Sequence, residues 1–283
     1  MEQSSNPLAK HFRQPALYIK LPSNGAFWPE GSINMPINNE IGVLPISTKD
    51  EITLRTPDAL LNGQGVVNVI ESCCPSIKDA WQMPSIDVDT TIIAIRIASY
   101  GNQMDFTSKC PHCNETNDYA IDLGAVLSNI VTPDYSERIE INDLSIKLKP
   151  QAYFSVNKTN MIEFEEHQIL RTLAQMDDNT EDVSTMFSQQ LSKLVDLNTE
   201  ILTGSTAYIE LADGTIVTNP GFINEFYSNC NTQIVTAVKS KLEEFSIISN
   251  IKPVPVVCNN DECAKDFNVA ITFDFASFFA IGS

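Results

Sequence analysis

The sequence predicts an α+β protein in which two short β-hairpins, each carrying a cysteine pair, flank a largely helical insertion. Three observations predict it. The cysteines Cys110 and Cys113, and far downstream Cys258 and Cys263, stand in two close pairs. Short β-patterned segments lead into and out of each pair, over 103–123 and 254–279. Between the pairs, apolar residues recur at spacings near three and four, the helical period.

The elements read in order as follows. Residues 1–14 form a flexible N-terminal arm, and 15–103 a mixed α/β N-terminal region. In that region short strands are expected near Ile33–Pro36 and Ile41–Pro45. Thr48 or Asp50 caps a first helical turn, Asp58–Leu61 reads as a short helix, and Val66–Cys74 as another. Asp87–Tyr100 reads as a helix stopped by Gly101, with a buried strand over Thr91–Ala98 as the competing reading. Residues 104–125 make the first knuckle hairpin. The insertion is 126–253: strand-like over 141–156 with a break at Pro150, helical over Asn160–Met176 and Glu181–Leu197, then a hairpin turning at Asp213-Gly214. Pro220 opens a last helix at the position where its missing N–H costs nothing, with a break near Asn229–Asn231. Residues 254–283 form the second knuckle hairpin and a C-terminal strand.

Charge narrows the function. Eighteen Lys and Arg stand against 36 Asp and Glu, a net charge of −18. Phosphate backbones attract positive surface, so a general affinity for nucleic acid is not expected. A basic protein partner is compatible with it. No basic leader, and no apolar run of the roughly 18 residues a membrane helix needs, is evident. A chain kept in a reducing cytoplasm is expected. The seven cysteines fit no disulfide framework. Cys73 and Cys74 read as packing residues and Cys230 as a buried thiol.

The cysteine pairs carry the chemistry. In Cys110-Pro-His-Cys113 two intervening residues let both sulfurs point into one turn, whose amides steady thiolate charge. Half a site cannot close a structural zinc shell, which takes four soft ligands at tetrahedral angles. Cys258-Asn-Asn-Asp-Glu-Cys263 supplies the other half, so the expected centre is a structural Zn2+ held by Cys110, Cys113, Cys258 and Cys263, a zinc-ribbon-like element. Other readings are a Cys-X-X-Cys redox pair, unconnected thiols, or iron in place of zinc. The redox motif opens a helix, whereas Asn114–Asn117 lead into a strand-like run. His112 could compete as a ligand; His11 and His167 are isolated. Four thiolates leave no open position for catalysis, no His-Glu-X-X-His motif or phosphate-binding glycine loop occurs, and no enzyme is expected.

Several segments resemble the baseplate hub proteins of T-even-like contractile-tailed phages. They are Leu21–Gly31, Thr48–Gly63, Trp81–Asp89, Ala94–Gly101 and the Cys-Pro-His-Cys turn, with a less specific likeness onward to Phe273–Phe279. The resemblance implies a structural component of the tail baseplate hub, partnered with other hub or wedge proteins in a multi-protein assembly. It implies a place in the virion tail, assembled in the host cytoplasm. A transient hub assembly factor is the alternative, and a nucleic-acid-binding zinc ribbon the second. Two surfaces are candidate contacts: the aromatics Phe27 and Trp28 as docking anchors, and the acidic residues within 163–200, from Glu163 to Glu200, as a steering face.

Overall fold

The computed structural model describes residues 6–56, 63–173, 193, 196–271 and 278–279. It is a mixed α+β protein with helices and small antiparallel sheets. The chain divides into two compact units. The first comprises Met1–Ala80, Asp87–Ile130 and Ile251–Ser283; the second comprises Trp81–Ile86 and Val131–Asn250.

In the first unit, β1 (Leu17–Ile19) pairs antiparallel with β2 (Ile41–Val43). The strand expected near Ile33–Pro36 is reduced to one bridge between Ile33 and Ile77. Helix α1 (Thr48–Leu54) is capped by Ser47, one residue before the expected cap, and Asp50 closes a capping box with it. Asp50 also receives Arg13 Nη1 at 2.9 Å, and Arg13 Nη2 donates to the Ser72 carbonyl at 2.9 Å. The helix expected at Asp58–Leu61 lies outside the described residues. Gly63, at φ +76, turns the chain into α2 (Gln64–Cys73).

Helix α3 (Ser85–Tyr100) settles the helix-or-strand question over Thr91–Ala98. Its β-branched residues disfavour a helix on propensity alone. Val88, Ile92, Ile93, Ala94 and Ile95 are all buried, and a helix apolar on most sides is stable only inside a core. Gly101, at φ +86, ends it. Ile19, Leu21, Ile41, Val43, Val66, Val69 and Ile70 supply further buried side chains to this unit. Two hairpins complete it: β3 (Gln103–Lys109) with β4 (Thr116–Asp122), and β9 (Val254–Val257) with β10 (Asp266–Val269). Helix α4 (Leu123–Ser128) follows β4, capped by Asp122.

In the second unit, β5 (Arg138–Ile141), β6 (Leu144–Leu148), β7 (Thr206–Leu211) and β8 (Ile216–Val217) form an antiparallel sheet in that order. The strand-like run expected over 141–156, with its break at Pro150, ends at Leu148, and beyond the break α5 (Tyr153–Leu173) begins in place of further strand. The reason is tertiary. The segment from Pro150 is held by Met83 O, which accepts from Tyr153 N at 2.7 Å, and the Tyr153 ring stacks on Trp81 at 5.7 Å. A helix over 196–204 leads into β7. Most of the helix expected at Glu181–Leu197 lies outside the described residues, as do all the acidic positions from Asp177 to Asp182. Asn219 caps α6 (Pro220–Asn229), with Pro220 in its first turn. The expected break falls at Cys230 and Asn231, before α7 (Thr232–Ser249). Ile146, Leu148, Leu202, Ile209, Ile223, Tyr227, Ile234, Val238 and Phe245 form the core.

One buried carboxylate organises the turn-rich segment 21–31. Asp87, in the first turn of α3, is fully buried and accepts from Ser23 N at 2.8 Å, Ser23 Oγ at 2.5 Å and Trp28 Nε1 at 2.8 Å. The Trp28 indole N–H is thus tied into the chain's own fold, while Phe27 stays 43% exposed, at φ +68. Burial opposes ionisation of Asp87, the three donors favour it, and burial prevails: the pKa is pushed up from 3.8 to about 6. The folded state thus binds this proton more tightly than the unfolded state. The stability contributed is full below 3.8 and is lost as pH rises towards 6, on the order of 3 kcal/mol. Urea unfolding at pH 4 and pH 6.5 checks this. The unfolding free energy of wild type minus that of Asp87→Asn should shrink by about that amount between the two pH values. A pH-independent difference would count against it.

Candidate metal centre

The two cysteine pairs meet at the ends of the two hairpins. In the first, seven cross-strand pairs run from Gln103↔Asp122 to Lys109↔Thr116. Cys110 N then donates to Glu115 O at 2.9 Å, closing the strand ends. Asn114 N returns to Cys110 O at 2.9 Å, and His112 N donates to Cys110 Sγ at 3.4 Å. In the second, Cys258 N donates to Lys265 O at 3.0 Å, so Cys258 sits at the strand end as Cys110 does. Ala264 N returns to Asn260 O at 2.8 Å. The turn Asn260–Cys263 thus repeats the turn Cys110–Cys113, with Cys258 and Asn259 set ahead of it as the two additional residues of this knuckle.

Both turns leave through a left-handed residue directly after the second cysteine: Asn114 at φ +61 and Ala264 at φ +45. Asparagine tolerates this region; alanine, with its Cβ against the carbonyl, is strained there.

The four sulfurs converge. Their Sγ atoms all lie within 4.8 Å of one another. Cys110 and Cys263 are 3.9 Å apart, and Cys113 and Cys258 3.6 Å. A disulfide needs about 2.05 Å, so these pairs are thiols. Four sulfurs about 2.3 Å from a tetrahedral centre stand about 3.8 Å apart, and the observed separations fit that figure. The residues can hold one metal ion. Cys110 and Cys258 are buried, Cys263 is half-buried and Cys113 is exposed. His112 is exposed at the turn tip and stands outside the group. Tyr119 joins the hairpins, its ring 5.5 Å from Phe106 and 6.1 Å from Phe267.

Burial opposes ionisation of Cys110, but donation from the His112 and Cys113 amides, and from the thiols of Cys113 and Cys258, brings its pKa down to about 7. Donation from the Glu115 amide favours the Cys113 thiolate, but desolvation and its coupling to Cys258, Cys110 and Cys263 push it up to about 12. Without a cation one thiolate forms at the expense of its neighbours. A divalent ion removes that conflict.

The surroundings are acidic. Exposed Glu115, Asp118, Asp261, Glu262 and Asp266 outnumber the nearby Lys109 and Lys265. A family model described as T4 bacteriophage base plate protein matches residues 28–280. The chain belongs to this family. No curated protein and no solved structure matches it. For a T4-type base plate protein the role is structural, within a multi-protein phage assembly, and its place is the virion tail. Among the described residues no helix is long and apolar enough to cross a membrane.

The sequence pointed to the four cysteines but not to the residues that bring them into register. Asn117 is 6% exposed and contacts the second knuckle, as do Glu115 and Asp118 through Asn260 and Asn259. The additional length of the second loop was the only available signal. Ala264 offers a direct check on this geometry. Ala264→Gly should stabilise the first unit by about 1 kcal/mol, the relief of left-handed strain exceeding the entropic cost of glycine. Ala264→Val should destabilise it. Denaturant midpoints of the two variants measure this, and an order reversed between them would exclude the left-handed turn.

Proposed function

We propose that this base plate protein is a structural component of the tail hub, whose two knuckle hairpins are stapled by one structural Zn2+ on Cys110, Cys113, Cys258 and Cys263. The closed four-sulfur group carries the reading. It offers cohesion to hairpins too short to bury much apolar surface, and it leaves no position for a substrate or an activated water. The chemistry that zinc supplies there is charge neutralisation of four thiolates and fixed tetrahedral geometry. The hub, rather than the wedges, is favoured by the likeness of Leu21–Gly31 and Trp81–Asp89 to hub proteins. The contacts would be other hub or wedge proteins, in particles assembled in the host cytoplasm. Residues 126–253 are read as one region inserted between the two halves of the ribbon.

A net charge of −18, with carboxylates clustered around the knuckles, argues against a nucleic-acid-binding ribbon and suits a basic protein neighbour.

Mass analysis of purified particles tests the position. A fixed, stoichiometric copy number co-purifying with the central hub is the expected result. Presence in assembly intermediates but not in finished particles would replace the structural role by that of a transient assembly factor. The staple is tested separately. Wild type should carry one zinc per chain by elemental analysis, and Cys263→Ser should lose it. Hydrogen exchange in that variant should rise across 104–123 and 254–271 and change little at Ile209, Ile223 and Val238 in the core of the second unit. Zinc-free wild type, prepared without chelator, would defeat the proposal.

A further inference from the structure

Zinc knuckles with two residues between the cysteines are self-sufficient turns, yet here the second has four. The geometry points to a reason: the longer loop is a clasp onto the first knuckle, and Asn117 is the positioning residue that closes it. This inference rests on the metal reading above and goes beyond it, since it concerns a residue that binds no metal.

Asn117 lies on β4, opposite Ser108, one residue inside the strand end. Its Oδ1 accepts from Asn259 N at 3.1 Å, the first residue of the long loop. Its Nδ2 donates to Cys258 Sγ at 3.7 Å and to Glu115 O at 3.1 Å. The side chain therefore grips its own turn, the facing loop and one ligand sulfur at once. Two further bonds run alongside: Asn259 Nδ2 donates to Asp118 O at 3.3 Å, and Asn260 Nδ2 donates to a Glu115 carboxylate oxygen. Asn259 lies between Cys258 and the common turn, and Asn260 opens that turn.

The sulfurs show the same division. Cys110 Sγ receives its amide donor from its own turn, through His112 N. Cys258 Sγ receives one from the other hairpin, through Asn117. Donors on coordinating sulfurs moderate the thiolate charge that a four-cysteine centre accumulates, and groups orienting metal ligands are worth 10–100-fold in metal affinity. A carboxylate at position 117 would keep the acceptor for Asn259 N while placing an anion against the sulfur.

Two variants separate the roles. Asn117→Asp is nearly isosteric, retains the Asn259 contact and loses the donor to sulfur. Asn117→Ala loses both. Zinc affinity, measured on the full chain by competition with a chromophoric chelator, should fall about 10–100-fold in each. In Co2+-substituted protein the sulfur-to-metal charge-transfer band should shift in both. Exchange protection of the Asn259 amide should drop in Asn117→Ala and persist in Asn117→Asp. Far-UV circular dichroism of Asn117→Asp matching wild type establishes that the fold is retained. Unchanged affinity and an unshifted cobalt band in a folded Asn117→Asp would overturn the role of Asn117 while leaving the zinc staple standing. A wild-type chain that binds neither Zn2+ nor Co2+ would overturn the staple, and this inference with it.

Discussion

Cys113 and Cys258 stand 145 residues apart in the chain and 3.6 Å apart in space. Holding such remote positions together is the constraint on which the first unit depends. For an unstructured connector of that length, closure costs on the order of 4–5 kcal/mol. The two hairpins recover little of it by burial, since β3, β9 and β10 alternate half-buried with exposed residues and β4 buries only Asn117 and Ile121. Tyr119 between Phe106 and Phe267, and the asparagine bonds, are worth only a few kcal/mol together. The structural zinc ion proposed above would supply about 10–16 kcal/mol at neutral pH, enough to decide the balance.

The rest of the unit relies on polar groups used in the same long-range way. Arg96, 8% exposed on α3, donates from Nε to Phe278 O at 2.9 Å, across 182 residues of sequence, and its guanidinium lies 4.3 Å from the Tyr100 ring centre. Arg13 gathers Asp50, Pro45 and Ser72, and Asp87 gathers Ser23 and Trp28. Each pins an irregular segment to a helix where little apolar surface is available. Removing any one partner leaves buried donors or acceptors unmatched, which costs more than the bond itself contributes.

Local chemistry was legible in the sequence, and remote pairing was not. Gly101, Pro220, Asp213-Gly214 and the break at Cys230 each follow from backbone preferences of one or two residues, and the structure places them where those preferences direct. The cysteine pairs were legible because thiolates at such spacings have few other uses. Asp87 stood only as the first residue of the expected helix; that its carboxylate is consumed by Ser23 and Trp28, 64 and 59 residues away, depends on a partner no local pattern names. Asn117 was invisible for the same reason. The early start of α5 reflects the hold of Met83 and Trp81 on Tyr153, which a strand-like alternation over 141–156 does not register.

The placement of the two knuckles also sets an order of events during synthesis. A ribosome adding roughly 5–20 residues per second takes roughly 7–30 s to travel from the codon for Cys113 to that for Cys258. Throughout that interval the nascent chain carries Cys110 and Cys113 without Cys258 and Cys263. The second unit is translated in full before the first can close, so its sheet and helices have time to form while the knuckle waits. Closure of the proposed metal centre then follows the second unit, because Cys258 and Cys263 are made after Asn250.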